Sequence, residues 1–301
     1  MQEIQFKRTE LEDRELMHSY FVKYPSQSCE RTFANALLWS RHYPVKFAIV
    51  KNTLVFSWEK DDEMSFSYPA GEAEDVRETL EFLMNYAKER QKNFSLYHVT
   101  PIQFAQLEEW YPERFEVDYE RDIADYVYEA EKLATLAGKK LHSKRNHINK
   151  FKELHPNWSY ETMSEENIEE CFQMALKWRN ANGCDIDDEK NAEMCVTLNA
   201  LRLFRELELV GGVLKVDGKV IAFTIGEEVC EDMFVVHIEK AFAEVQGAYP
   251  MINQQFVQNE CKNYQYINRE DDTGSEGLRK AKLSYRPAFL VEKGIVKEKV
   301  Q

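Results

Sequence analysis

The sequence predicts an α+β protein of two tandem domains, residues 1–120 and 121–301, each a mixed, mostly antiparallel sheet flanked by helices. Three observations carry this. The chain has 301 residues, enough for two ordinary domains. Hydrophobic residues make up 44% and aromatic residues 13%, enough to fill two cores. Read along the chain, both halves give one order: helix, helix, three antiparallel strands, helix, strand, helix, strand.

The elements of the first half follow from pattern. Helical spacing covers about 10–22 and 30–41. "VKFAIV", "NTLVFSW" and "MSFSYPAG" are strand-like runs. "AEDVRETLEFLMNYAKERQ" is an amphipathic helix with Val76, Leu80, Leu83 and Ala87 on one face. "FSLYHV" is a strand. "PIQFAQLEEW" opens with Pro101 at a suitable first helical position, and "RFEVDYERD" is a strand.

In the second half, helical segments cover about 132–154, 165–182 and 188–208. Asn182-Gly183 stops the middle one. "LVGGVLKV", "KVIAFTIGEE" and "DMFVVHIEKA" are three strands, and Asp217-Gly218 marks a hairpin because both turn positions tolerate positive φ. "PMINQQFVQNECK" is a helix and "YQYINRE" a strand. "SEGLRKAKLSYR" is a helix stopped by Pro287, and "AFLVEKG" is the last strand.

Charge is uneven. The formal net charge is −14, yet seven Lys and Arg lie between Lys132 and Lys152 with no Asp or Glu among them. This is a local basic segment in an acidic background. No apolar run reaches the roughly 18–20 residues that span a bilayer. The N-terminus lacks the apolar core of a signal peptide, so the expected location is cytoplasmic. The six cysteines form no C-x-x-C pair and read as buried thiols. His142 and His147 are five apart, off the i,i+4 spacing of helical metal pairs, so no metal is assigned.

The element order matches the GNAT acyltransferase fold. In it, the strand before the central helix splays from its neighbour, and the helix N-terminus offers N–H groups to ligand phosphates. The corresponding junction here is "AEVQGAYPMIN", with Gln246, Gly247, Ala248 and Tyr249 as candidate donor-binding residues. Gly247 permits close backbone approach.

"LATLAGKKLHSKRNHINKF", "GKVIAFTIGE", "HIEKAFAEVQGAYPMINQQF" and "YINREDDTGSEGLRKAKLSYRP" together resemble a bacterial family related to the C-terminal domain of phosphatidylglycerol lysyltransferase. The resemblance covers about residues 125–293 and touches the first half through "SCERTFANALLW". It implies a tandem GNAT arrangement akin to Fem-type aminoacyl-tRNA-dependent transferases.

Read as residues, the basic segment has two arcs. Leu141, Ile148 and Phe151 share one. Arg145, Asn146, Asn149 and His142 share the other, either a polar wall with Arg145 aimed at an anion or a solvated face. Lys139, Lys140, Lys144 and Lys150 are the candidate tRNA contacts. Asn268 and Arg269 end a strand, where ligand sites gather in open sheets. Arg279, Lys282 and Arg286 make a basic stripe beyond them, and Arg279 and Lys282 join the donor-binding candidates. Strand alternation puts His237 and Glu239 on one face, where either can take a proton from an acceptor amine. Tyr285 can supply a hydroxyl to the leaving group.

These residues suit acyl or aminoacyl transfer to an amine or hydroxyl acceptor. The donor is acyl-CoA or aminoacyl-tRNA, and the resemblance slightly favours aminoacyl-tRNA. No cofactor beyond the donor is implied. The acceptor is a small molecule, peptide or lipid. The other class of function is a non-catalytic binding module that senses a nucleotide or acylated metabolite.

Overall fold

The computed structural model describes residues 3–184 and 187–299. The chain forms two compact units. The first takes the chain up to Asp125, with Asp271–Gly274 and the chain from Val291 onward; the second takes Tyr126–Glu270 and Ser275–Leu290.

In the first unit, α1 (Arg14–Lys23) and α2 (Phe33–Trp39) precede three antiparallel strands, β1 (Lys46–Val50), β2 (Thr53–Lys60) and β3 (Glu63–Ser67). Then come α3 (Ala73–Glu89), β4 (Asn93–Val99), α4 (Pro101–Trp110) and β5 (Phe115–Tyr119). β4 runs parallel to β3. Val76, Leu80, Leu83 and Ala87 of α3 are all buried, in a core with Phe66, Phe94 and Leu96. Pro101 opens α4 behind a Thr100–Gln103 capping box.

In the second unit, β6 (Asp125–Glu129), α5 (Ala130–Thr135), α6 (His142–Leu154) and β7 (Trp158–Thr162) lead into the same series. That series is α7 (Ile168–Ala181), α8 (Asp188–Arg202), β8 (Val210–Val216), β9 (Lys219–Cys230), β10 (Met233–Ala241), α9 (Ala248–Glu260), β11 (Tyr266–Asn268), α10 (Glu276–Leu283) and β12 (Phe289–Val291). Val216 pairs with Lys219 across Asp217 and Gly218, which have φ of 49° and 74°, as the hairpin reading requires. α9 packs on β8, β9 and β10, with Phe256, Met251 and Phe234 in the core.

The tandem, GNAT-like α+β fold is thus the one present. With β13 (Gly294–Glu298) near the C-terminus, strand order is β1-β2-β3-β4-β13-β5 in one sheet and β12-β6-β11-β10-β9-β8-β7 in the other. Each contains three antiparallel strands, then a parallel one, then an antiparallel insert, and the second adds β7, antiparallel to β8, at its edge. The insert in the first sheet is β13 (Gly294–Glu298), which pairs with both β4 and β5. A single boundary at 120/121 therefore misassigns the C-terminal strand: its residues complete the first sheet. β6 and β7 also escape the sequence reading. The continuous helix expected over 132–154 is broken, because Leu136 and Gly138 take φ of 51° and 91° between α5 and α6.

One buried ion cluster fixes β13. Lys293, fully buried, places its ammonium 2.7 Å from Asp125, 2.6 Å from Glu30 and 3.8 Å from the Cys29 sulfur. A lysine ammonium thus occupies the space among a cysteine and two carboxylates that would otherwise suit a cation. Burial works against the Lys293 charge, but Asp125, Cys29 and Glu30 hold its pKa well above the usual range.

Candidate active site at the strand opening of the second unit

β10 and β11 pair in parallel over only three positions, Met233–Tyr266, Phe234–Ile267 and Val235–Asn268. β10 continues to Ala241, so the two strands part beyond Val235 and Asn268. Arg269 follows directly after β11 and reaches across the opening. Its Nη2 donates to Glu239 Oε1 at 2.9 Å, and Asn253 Nδ2, from α9, donates to Glu239 Oε2 at 3.0 Å. The Arg269 guanidinium lies 4.9 Å from the Tyr285 ring centre and 5.7 Å from that of Tyr128. The Lys144 ammonium lies 4.0 Å above the Tyr285 ring.

Both charges of the Arg269–Glu239 pair are about nine-tenths buried, with side-chain exposures of 12% and 11%. Burial disfavours the guanidinium charge, and Glu239 beside it outweighs that effect. Burial also drives the Tyr285 phenol well above its ordinary pKa, so it stays protonated at neutral pH. Lys144 is shifted the other way, pushed down by burial and by Arg269.

Three polar atoms around this carboxylate are buried without a hydrogen-bond partner: Arg269 Nη1, Asn253 Oδ1 and Thr224 Oγ1. Thr224 stands opposite Glu239 on β9. Each such atom costs about 1–3 kcal/mol when left unpaired. One donor, one acceptor and one hydroxyl around a single carboxylate are open to hydrogen bonds from a polar group.

His237 does not belong to this group. The β9–β10 register shifts between Val236 and Ile238, so His237 sits in a bulge and strand alternation fails there. Its Nδ1 lies 2.7 Å from Glu270 Oε1 and its Nε2 lies 2.9 Å from Glu227 Oε1. Burial works against the charge, but these two carboxylates outweigh it and raise the pKa to about 10. With both nitrogens engaged and the ring charged at neutral pH, His237 is not a base here.

The remaining candidates separate. Arg145 donates through Nη1 to the Leu136 carbonyl and, at 2.8 Å, to the Gly138 carbonyl, tying down the α5–α6 turn. Asn146 and Asn149 are exposed, and Asn146 lies 3.2 Å from His142 Nε2. Lys139, Lys140 and Lys150 are exposed, with Lys150 paired to Glu153 at 3.0 Å. Lys282 Nζ donates to the Arg269 carbonyl at 2.5 Å, and Tyr128 donates to the Lys282 carbonyl at 2.8 Å, so Lys282 anchors the backbone that carries Arg269. Asn268 is fully buried and accepts from the Glu270 N–H at 2.7 Å. Arg279 is half-buried on α10.

Gly247 precedes α9 with φ of 86°. A Cβ there would lie 2.5 Å from the His147 carbonyl oxygen, so glycine lets α9 start against α6. Gln246 is exposed and Ala248 buried. Tyr249 lies beside Trp178 and the Ala241 backbone. Thr224 and Asn253 escape the sequence reading. Their one sequence signal is the amide run Asn253-Gln254-Gln255, all buried within α9.

A sheet that splays between two parallel strands in this way, in front of a central helix, is the GNAT-like fold. Within that fold class, the model of the phosphatidylglycerol lysyltransferase C-terminal family matches residues 21–296, and the chain belongs to that family. A conserved protein of unknown function from Bacteroides thetaiotaomicron is 38% identical, covers 99% of this chain and 100% of its own, and superimposes with a TM-score of 0.92. L-PGS from Bacillus licheniformis, 12% identical, shares the fold with a TM-score of 0.67 over 100% of this chain and 95% of its own. An uncharacterised protein of Mycoplasmoides gallisepticum is 25% identical over 194 residues, which are 63% of this chain and 61% of that relative. The chain thus spans under two thirds of that relative's length. No helix among the described residues is long and apolar enough to cross a membrane.

Proposed function

We propose that the opening between β10 and β11 transfers an activated acyl group to an amine or hydroxyl acceptor, with aminoacyl-tRNA preferred over acyl-CoA as donor. The observation that supports this most is the set of three unpaired atoms around Glu239. Arg269 Nη1 is a donor suited to a carbonyl oxygen that gains negative charge. Asn253 Oδ1 and Thr224 Oγ1 accept from an ammonium or amine.

In this reading the acceptor attacks the donor carbonyl carbon. A bond from its nitrogen or oxygen to that carbon forms as the donor's ester or thioester bond breaks. Glu239 takes the acceptor proton, and the Tyr285 hydroxyl protonates the leaving oxygen or sulfur. Solvent then returns the proton from Glu239 to Tyr285. Lys144 adds positive charge beside the developing anion, and His237 holds its two carboxylates in place. The preference for aminoacyl-tRNA rests on family membership and on the exposed Lys139, Lys140 and Lys150.

A binding module without turnover is the second reading. It is favoured by Glu239, whose two oxygens both already accept hydrogen bonds. Mass spectrometry of the purified protein incubated with charged tRNA or with acyl-CoA pools separates the two. A new acylated product supports transfer and identifies the donor. Donor bound without product supports the second reading.

A further inference from the structure

The first unit holds a cleft of about 290 Å³, whose lining includes Arg31, Tyr24, Ser26, Tyr68, Ala73 and Gln106. Among the described residues, Arg31 is its only charged lining residue. The guanidinium donates through Nη2 to the Tyr68 carbonyl at 2.7 Å. Its Nη1 is buried and has no hydrogen-bond partner. The carboxylates nearby in sequence are committed elsewhere: Glu30 to Lys293, Ser28 and His98, and Glu72 to Lys23 and Tyr24.

Burial works against the Arg31 charge, and Tyr97, Glu30 and Tyr68 offset only part of that effect; a ligand anion at Nη1 adds to the offset. The described lining residues include no second cation, and Lys23 nearby is already paired with Glu72. The Tyr68 and Tyr24 hydroxyls already donate to Gln106 and Glu72, so one guanidinium with the Ser26 hydroxyl and the Gln103 and Gln106 amides suits a single negative charge better than a phosphate dianion. Pro25, Pro69, Ala70 and Val76 supply an apolar part of the wall beside Gln103. The volume is at the small end for ligand sites. We propose that this cleft binds a small organic carboxylate, its charged end on Arg31 and its apolar body against the prolines and Val76. The site also gives the "SCERTFANALLW" stretch a role: Cys29 and Glu30 join the Lys293 cluster, and Arg31 serves the cleft.

The test is calorimetric titration of the full chain with benzoate, hexanoate and N-acetylglycine, with benzamide and inorganic phosphate as controls. At least one carboxylate should bind, and neither control should. Arg31→Gln should weaken that binding by at least about tenfold. Arg31 also holds the Tyr68 carbonyl, so Arg31→Gln carries a folding risk. Ala73→Phe, at an exposed lining position, blocks the cleft without entering the core and should weaken binding equally. The proposal is overturned if no carboxylate binds, if phosphate or benzamide binds as well as the carboxylates, or if Ala73→Phe leaves binding unchanged.

Discussion

The Arg269 guanidinium bridges to the Glu239 carboxylate at 2.9 Å across the gap where two parallel strands separate. Removing one partner leaves the other charge buried alone. Arg269→Gln should therefore cost about 3–5 kcal/mol of stability. Arg269→Gln combined with Glu239→Gln should recover part of that loss, since neither charge then remains. Urea unfolding of the two single variants and the double variant measures the coupling. A double variant no more stable than Arg269→Gln alone would show that the pair is not coupled.

His237, held between Glu227 and Glu270, makes stability depend on pH at the alkaline end. Its pKa is raised from 6.5 to about 10 in the folded chain. A raised pKa stabilises fully below the unfolded value, and the contribution fades as pH rises from about 6.5 towards about 10. Urea midpoints of wild type should fall across that window more steeply than those of His237→Gln. Parallel curves would remove the imidazolium reading.

Lys293 anchors β13 through Asp125 and Glu30. Lys293→Met removes the cation from between a fully buried aspartate and Glu30, leaving them only hydrogen bonds such as those from the Cys29 N–H and Ser28, and should cost about 3–5 kcal/mol. Chemical denaturation measures this, and a loss below about 1 kcal/mol would mean that the cluster is relaxed by water.

The basic segment divides into two roles. Replacing Lys139, Lys140 and Lys150 together with Gln should leave stability nearly unchanged, because exposed charges contribute little. It should weaken tRNA binding and flatten its salt dependence, the log–log slope changing by about 0.9 for each phosphate that is no longer neutralised. Lys144→Gln should instead impair transfer, because Lys144 stands over Tyr285. Filter binding across a salt series checks the first part. Unchanged affinity and slope would exclude RNA binding through these lysines.

Much of the fold is legible where the signal is local. The α3 stripe, the Pro101 start and the Asp217-Gly218 hairpin depend on residues within one turn or one hairpin, and all three are observed. β13 is illegible because "GIVKE" has no strong strand pattern, and its partners lie far back in the sequence. Glu239, Arg269 and Tyr285 are legible because they stand beside strand and helix ends. Asn253 and Thr224 look like ordinary interior positions, and only tertiary packing leaves their atoms unpaired. The bulge at His237 cannot be read from alternation, since alternation is the rule that it breaks.

Single-turnover transfer from preformed donor complex, comparing wild type with Glu239→Gln, tests the role of the strand opening most directly. Gln retains an acceptor for Arg269 and is nearly isosteric, so the fold should persist at reduced stability, with circular dichroism as the check, and donor affinity should be largely kept. Loss of the base should slow transfer by roughly 10²–10⁴-fold. Turnover within a few-fold of wild type would show that Glu239 does not take the proton, and the chemistry at this opening would have to be assigned to other groups.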